Sequence, residues 1–178
     1  MDLKIIFDNS VMKEVEKKLK ELHNSHTEWG WINEKTYPSG DIANRDHIKV
    51  AEIARINEYG GISKSRSGKQ PIKIPARPYF RQALMMTEQA AARFAKQAII
   101  AALHNKSFDS ILEKQANLAA LDIILSIRKQ NQKELSKKTV RIKGHDVQWA
   151  DTGVMMSNIT YKVYKTNIDK AKIGGGIT

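Results

Sequence analysis

The stretch AEIARINEYGGISKSRSGKQPIKIPARPYFR, residues 51–81, decides how the rest of the chain is read. Ala51, Ile53, Ala54, Ile56 and Tyr59 recur at helical spacings and predict a short helix. Gly60-Gly61 ends it, with Gly60 near the C′ position, where positive φ is wanted. Ile74-Pro75-Ala76-Arg77-Pro78 obeys a different rule. A proline disfavours the α region for the residue before it, so Ile74 and Arg77 are expected to be extended. Pro78 suits the first helical position, where its missing N–H costs nothing. Residues 61–74 between these segments carry Lys64, Arg66, Lys69 and Lys73 among serines, with no acid. Fully extended, they reach up to about 45 Å at ~3.3 Å per residue. A polar loop of that length is uncommon in a compact domain unless it is functional or disordered. It is expected to order against a partner.

Outward from this stretch, residues 3–7 (LKIIF) predict a short edge strand, and Asp8-Asn9-Ser10 forms a helix-capping cluster. Val11, Met12, Val15, Leu19 and Leu22 then mark one side of a surface helix ending near His23. Trp29, Trp31, Asn33 and Lys35 alternate with other residues and predict a strand from Glu28, followed by a turn at Tyr37-Pro38-Ser39-Gly40-Asp41. Residues 47–50 are a candidate second strand. From Pro78 to about His104 the apolar spacing is helical, and a second helix runs from near Phe108 to about Lys129. Two long helices with a short link predict an αα-hairpin. Thr139-Val140-Arg141-Ile142-Lys143 alternates like a strand or a loop lying along one, Asp151-Thr152-Gly153 reads as a turn, and residues 159–165 (ITYKVYK) form the clearest strand pattern. Residues 170–178, with three consecutive glycines, are expected to be a flexible tail.

A chain of 178 residues is expected to form one domain with a sizeable core. It contains no Cys, which removes disulfide frameworks and thiolate metal sites. No leader-like segment opens it, and no apolar run approaches the ~20 residues of a membrane helix. A soluble chain that stays where it is made is expected. Lys and Arg number 30 against 19 Asp and Glu, a formal charge of +11, which suits a polyanionic partner. The excess gathers in residues 64–77 and 128–143.

The sequence holds no complete catalytic or metal-binding pattern. His23 and His26 with Glu28 lack a further ligand. His145-Asp146 beside Asp151 looks like a turn rather than an acid–base pair. Asp151-Thr152-Gly153 matches an aspartic-protease signature, but without apolar flanks and in one copy. There is no Walker loop, GxGxxG, HExxH or GxSxG. Trp29, Trp31 and Trp149 read as half-buried core before they read as base-stacking platforms. Met85-Met86 and Met155-Met156 read as packing or contact residues. No enzyme, cofactor or metal is expected.

Three motifs occur in order: Asn57-Glu58-Tyr59-Gly60, then Ile74-Pro75-Ala76-Arg77-Pro78-Tyr79-Phe80-Arg81, then Asp151-Thr152-Gly153-Val154-Met155 leading into Ile159-Thr160-Tyr161. Together they resemble the tail completion, or head–tail joining, proteins of long-tailed bacteriophages, over residues 50–163. Two departures stand out: the link between the first two motifs is long and basic, and Asn158 stands where a Ser commonly precedes the final Ile. The resemblance implies an α+β fold, a small, mostly antiparallel sheet packed on two long helices. It implies a homo-oligomeric ring, taken as a hexamer, that completes the tail and joins it to the DNA-filled head. Neighbours would be tail-tube or terminator and head-connector proteins, with passive DNA contact in the channel, no membrane, and a place in the virion after assembly in the host cytoplasm. Asn57, Glu58, Tyr59, Gly60, Pro75, Arg77, Pro78, Phe80, Asp151, Thr152 and Gly153 are then conformational or subunit-contact residues. Lys64, Arg66, Lys69 and Lys73 join them as loop contacts. The alternative is a basic nucleic-acid-binding protein using residues 64–77 and 128–143.

Overall fold

The computed structural model describes residues 9–39, 47–63, 71–129, 137, 140, 141, 144 and 153–165. The expected strand at 3–7, the turn at Gly40 and Asp41, and the C-terminal tail lie outside these residues. The architecture is α+β, with two long helices packed together and two small antiparallel sheets.

Helix α1 (Asn9–His23) begins within the Asp8-Asn9-Ser10 cluster, with Asn9 and Ser10 already helical, and ends where expected. It is held along its own surface by Lys20–Glu16 at 2.6 Å and Lys18–Glu21 at 2.9 Å. None of its residues is fully buried. Leu19 and Leu22 pack inward, whereas Val11 and Met12 remain exposed, and Glu14 Oε2 accepts from Asn105 Nδ2 at 2.6 Å.

Strand β1 (His26–Gly30) begins before Glu28 and stops at Gly30, shorter and earlier than the alternation through Lys35 suggested. The reason is Gly30 itself: its φ of 122° turns the chain, and its bare Cα faces Phe80 and Ile123. Beyond it Trp31 leaves the strand. A bridge pairs Thr36 with Lys49, and Tyr37 N–H donates to the Ile48 carbonyl at 3.0 Å. Residues 47–50 are therefore not a strand. Lys49 makes that bridge and helix α2 (Val50–Tyr59) starts at once, with Val50 buried.

Strands β2 (Gly61–Ser63) and β3 (Ile72–Ile74) pair antiparallel, Gly61 opposite Ile74 and Ile62 opposite Lys73. The segment expected to be one long loop is thus a hairpin at its roots. The alternation Ile72-Lys73-Ile74 carries the strand signal, but it is too short to stand out beside two prolines.

Helix α3 (Tyr79–Leu103) starts one residue later than expected. Pro78 sits at its N-cap, and its carbonyl accepts from Gln82 N–H at 3.1 Å. The helix ends in a Schellman arrangement. Asn105 has φ 52°, its N–H donates to the Ala102 carbonyl, and Lys106 N–H reaches the Ala101 carbonyl at 2.8 Å. Helix α4 (Asp109–Arg128) returns antiparallel, as Ser126 and Asp122 reach Tyr79 and Thr87 respectively. The seam carries small buried residues on both helices, Ala83, Thr87 and Ala90 on α3 and Ala116, Ala119 and Ala120 on α4, which lets the backbones approach closely, while Ala98 and Ala102 pack with Phe108 at the far end. A turn, α5 (Val154–Ser157), follows Gly153, whose φ of 69° is left-handed, and leads into β4 (Thr160–Tyr164).

β4 pairs antiparallel with β1, Thr27 opposite Val163 and Trp29 opposite Tyr161. Thr27 Oγ1 donates to Gln115 Oε1 at 2.9 Å, so this face looks toward α4. His26 and Tyr164 stack on the opposite face with ring centroids 4.8 Å apart. An ion pair between Lys165 and Asp109 ties the end of β4 to the start of α4. Val140 and Arg141 are helical rather than strand-like, and the Val140 carbonyl accepts from Gly144 N–H at 2.8 Å.

Candidate functional site

The first motif ends α2 and the second starts α3, and the two are locked together through named atoms. Helix α3 has no acid in its first turn and no side-chain cap of its own, because its N-cap is a proline. Glu58 supplies the missing acceptor from another helix. Its Oε2 accepts from Phe80 N–H at 2.8 Å, and Oε1 accepts from Arg81 N–H at 3.3 Å and Arg81 Nε at 2.8 Å. Arg81 closes the ring by donating from Nη2 to the Glu58 carbonyl at 3.3 Å. Glu58 is only 4% exposed, so this carboxylate serves the interior. Negative charge at a helix N-terminus also meets the positive end of the macrodipole.

Asn57 works through both its backbone and its side chain. Its carbonyl accepts from Arg77 N–H at 2.8 Å, fixing the extended segment before α3. Its buried Nδ2 lies 3.8 Å from Met155 Sδ. Met155 belongs to the third motif, and its carbonyl accepts from Trp31 Nε1 at 2.7 Å. Gly60 is required twice over. It has φ 77°, and a Cβ there would fall 2.8 Å from the Ile74 carbonyl oxygen and 2.9 Å from Ala76 N. The expected positive φ at Gly60 is present, but ψ is 177°, which sends the chain directly into β2 instead of closing a C-terminal motif.

Tyr79 is the centre of this junction and is fully buried. Its hydroxyl donates to the Ala54 carbonyl at 2.6 Å, and its carbonyl accepts from Ser126 Oγ at 2.6 Å, so one residue joins α2, α3 and α4. Burial first, and then the Glu58 and Tyr37 charges, push its phenol well above the usual tyrosine range. Burial likewise lowers the Arg77 guanidinium from its ordinary value. Trp31 meets Tyr79 edge-on at 5.8 Å, and Phe80 stacks on Trp29 at 5.3 Å. The tryptophans of β1 and its exit are thus packing residues, in keeping with the reading of them as core.

The candidate contact residues therefore divide. Asn57 and Glu58 are buried, and Gly60, Arg77, Pro78, Phe80 and Gly153 are partly buried. Tyr59, Lys73 and Pro75 are exposed. Lys64, Arg66, Lys69, Asp151 and Thr152 lie outside the described residues, as do His145, Asp146 and Trp149. Met155 is core, while Met85 is exposed. Among the described residues no three His, Asp or Glu side chains gather to hold a metal ion, and no helix is long and apolar enough to cross a membrane.

Sequence reasoning singled out Arg81 and Met155 without their partners, and did not single out Ile62. Arg81 pairs with Glu58, Met155 receives Asn57 and Trp31, and Ile62 stands 78% exposed on the hairpin. The missing cap of α3 was the available signal for the first: a helix opening on Pro-Tyr-Phe-Arg needs an acceptor from elsewhere. No protein-family model, curated protein or solved structure matches the chain.

Proposed function

We propose that the chain is a structural protein of a tailed-bacteriophage virion, forming a ring at the head–tail junction that completes the tail and joins it to the head. What supports this reading is the convergence of the three motifs that carry the family resemblance. They are distant in sequence, yet Asn57 meets Arg77 and Met155, and Glu58 caps the helix that the second motif opens. The Asn57 carbonyl and the Glu58 carboxylate are occupied in holding backbone. They build a rigid junction from which the β2–β3 hairpin projects. A ring closes through heterologous contacts between neighbouring copies, and the hairpin with the basic segment that joins its strands is the candidate contact.

Electron microscopy of virions labelled with an antibody to this chain tests the reading. Label at the head–tail junction is expected, and label elsewhere on the particle would discard the joining role. Deletion of residues 64–69, which spares both strands, is expected to impair assembly while the monomer stays folded. Assembly at the level of the unmodified chain would remove the hairpin from the contact.

A further inference from the structure

Among the described residues two carboxylates are buried, Glu58 and Asp122. Glu58 is met by Arg81 and by backbone N–H groups of α3. Asp122, 7% exposed on α4, is met by a neutral hydroxyl, with Thr87 Oγ1 2.8 Å from its Oδ2. Its helical neighbours three and four residues away are Leu118, Ala119, Leu125 and Ser126, none of them a cation. No Lys, Arg or His among the described residues forms an ion pair with it. Asp is rarely buried without such a partner, because a desolvated charge is costly unless it is compensated.

Thr87 also lines a cavity of about 400 Å³ where α3, β1 and α4 meet. Its apolar walls are Trp29, Leu84, Met85 and Ala91, and its other polar groups are Glu88 and Gln115. Trp29 stacks on Phe80 with ring centroids 5.3 Å apart, and Gln115 Oε1 accepts from Thr27 at 2.9 Å, so both walls are held in place. Glu88 is the one ionisable residue in the lining. Its own helical neighbours, Leu84, Met85, Ala91 and Ala92, bring no cation to it either. The cavity therefore has an acid in its wall and a second acid behind Thr87, with no base in its lining. Specific ligand sites commonly enclose about 300–1,000 Å³ and are mostly apolar with a few placed polar groups.

We propose that this cavity binds a small organic ammonium ion, a primary amine carrying an apolar body. The body would lie against Leu84, Ala91 and Trp29, whose ring also attracts a nearby cation. The ammonium would pair with Glu88 and donate to Thr87 Oγ1. That hydroxyl has one proton and two acceptors within reach, the Ala83 carbonyl at 3.0 Å and Asp122 at 2.8 Å. With the proton given to Asp122, the oxygen keeps lone pairs that can accept from the ligand. The buried charge of Asp122 thus reaches the cavity through a single hydroxyl. A metal ion is a poor match, because the walls are mostly apolar and no three His, Asp or Glu among the described residues gather to hold one. This reading is independent of any place in a virion.

The test titrates the full chain with phenethylammonium chloride at fixed ionic strength, read by calorimetry. Neutral phenethyl alcohol and anionic hydrocinnamate, of similar shape, are the controls. Binding of the amine is expected, with both controls at least about tenfold weaker. A chain of formal charge +11 attracts anions in general, so a preference for the amine reports on this cavity. Glu88→Gln and Asp122→Asn should each weaken the amine by about fivefold or more. Glu88 is exposed, and an asparagine oxygen can still accept from Thr87, so the melting temperature without ligand should stay near that of the parent. Ala91→Trp, at a half-buried wall position, should fill the cavity and abolish binding even if Asp122→Asn fails to fold. No binding of the amine, or equal binding of amine and alcohol, would overturn the proposal. So would binding that Glu88→Gln, Ala91→Trp or a folded Asp122→Asn leaves unchanged. Displacement of the amine by magnesium chloride at the same ionic strength would assign the acids to an inorganic cation and also overturn it.

Discussion

The two ends of helix α3 are built on opposite plans. At its start, Tyr79 lies in a core with Tyr37, Val50, Ile123, Ile127 and Met155, crossed by buried hydrogen bonds to Ala54 and Ser126. At its finish, Ala98, Ala102 and Phe108 form a smaller cluster covered by the partly exposed Leu19 and Leu22 of α1. The first end combines large side chains with directional bonds that admit one arrangement. The second relies on non-directional packing beneath a helix that buries none of its residues completely. Precision is concentrated where the three motifs meet, and tolerance lies at the far end.

Mutations can break this contrast, and the largest effect is expected at the junction. Tyr79→Ala should cost about 3–5 kcal/mol in urea unfolding, since it empties a fully buried aromatic site. A loss under about 1 kcal/mol would mean that the site collapses freely, contrary to the rigid plan. Glu58→Ala comes next, at about 2–3 kcal/mol, because it strips the cap from α3 and the partner from Arg81. Glu58→Gln should recover part of this, as its amide oxygen can still accept from Phe80 N–H. Equal losses in the two variants would show that charge, not capping, carries the effect.

Tyr79→Phe is smaller, about 1–2 kcal/mol, from leaving the Ala54 carbonyl without its donor. It also gives a pH test. The phenol is raised above its ordinary value of 10.0, so the unfolded chain loses this proton first as pH rises. The stability linked to Tyr79 is therefore complete below about pH 10 and lost above it. The parent chain should show a steeper alkaline decline than Tyr79→Phe, which keeps only the part due to other raised tyrosines such as Tyr164. A decline of equal slope in both would place its origin elsewhere.

At the far end, Phe108→Leu should cost only about 1 kcal/mol, as a hydrophobic swap in a site that can adjust. Its mark should be local. Hydrogen exchange should quicken in α1 while α2 keeps its protection. Uniform loss of protection across both helices would merge the two ends into one unit and remove the distinction.

Much of this was legible in the sequence, for physical reasons that differ by element. The αα-hairpin could be read because long amphipathic periods and the break at Asn105-Lys106-Ser107 are local signals. α1 could be read because its capping cluster and spacing agree. The strand beginning at Glu28 was misplaced because alternation continued past Gly30, whose φ of 122° turns the chain beside Phe80 and Ile123. Residues 140 and 141 alternate in the sequence but are helical in the fold, showing that a five-residue pattern without flanking signals is weak. The junction itself was half visible. Its residues were singled out, but burial of Asn57 and Glu58 depends on contacts across the chain that periodicity does not encode.

The cap on α3 has a kinetic consequence. Helix nucleation is the costly step, and here the acceptor that steadies the first turn stands 22 residues back, on α2. Seating α2 and starting α3 should then be one event, passed together at the folding barrier. In that case Glu58→Ala slows refolding in proportion to its loss of stability, while refolding at the parent rate would separate the two steps. A helix whose beginning is held by its neighbour cannot fray there without releasing that neighbour too, so α2 and the head of α3 open and close as a single piece.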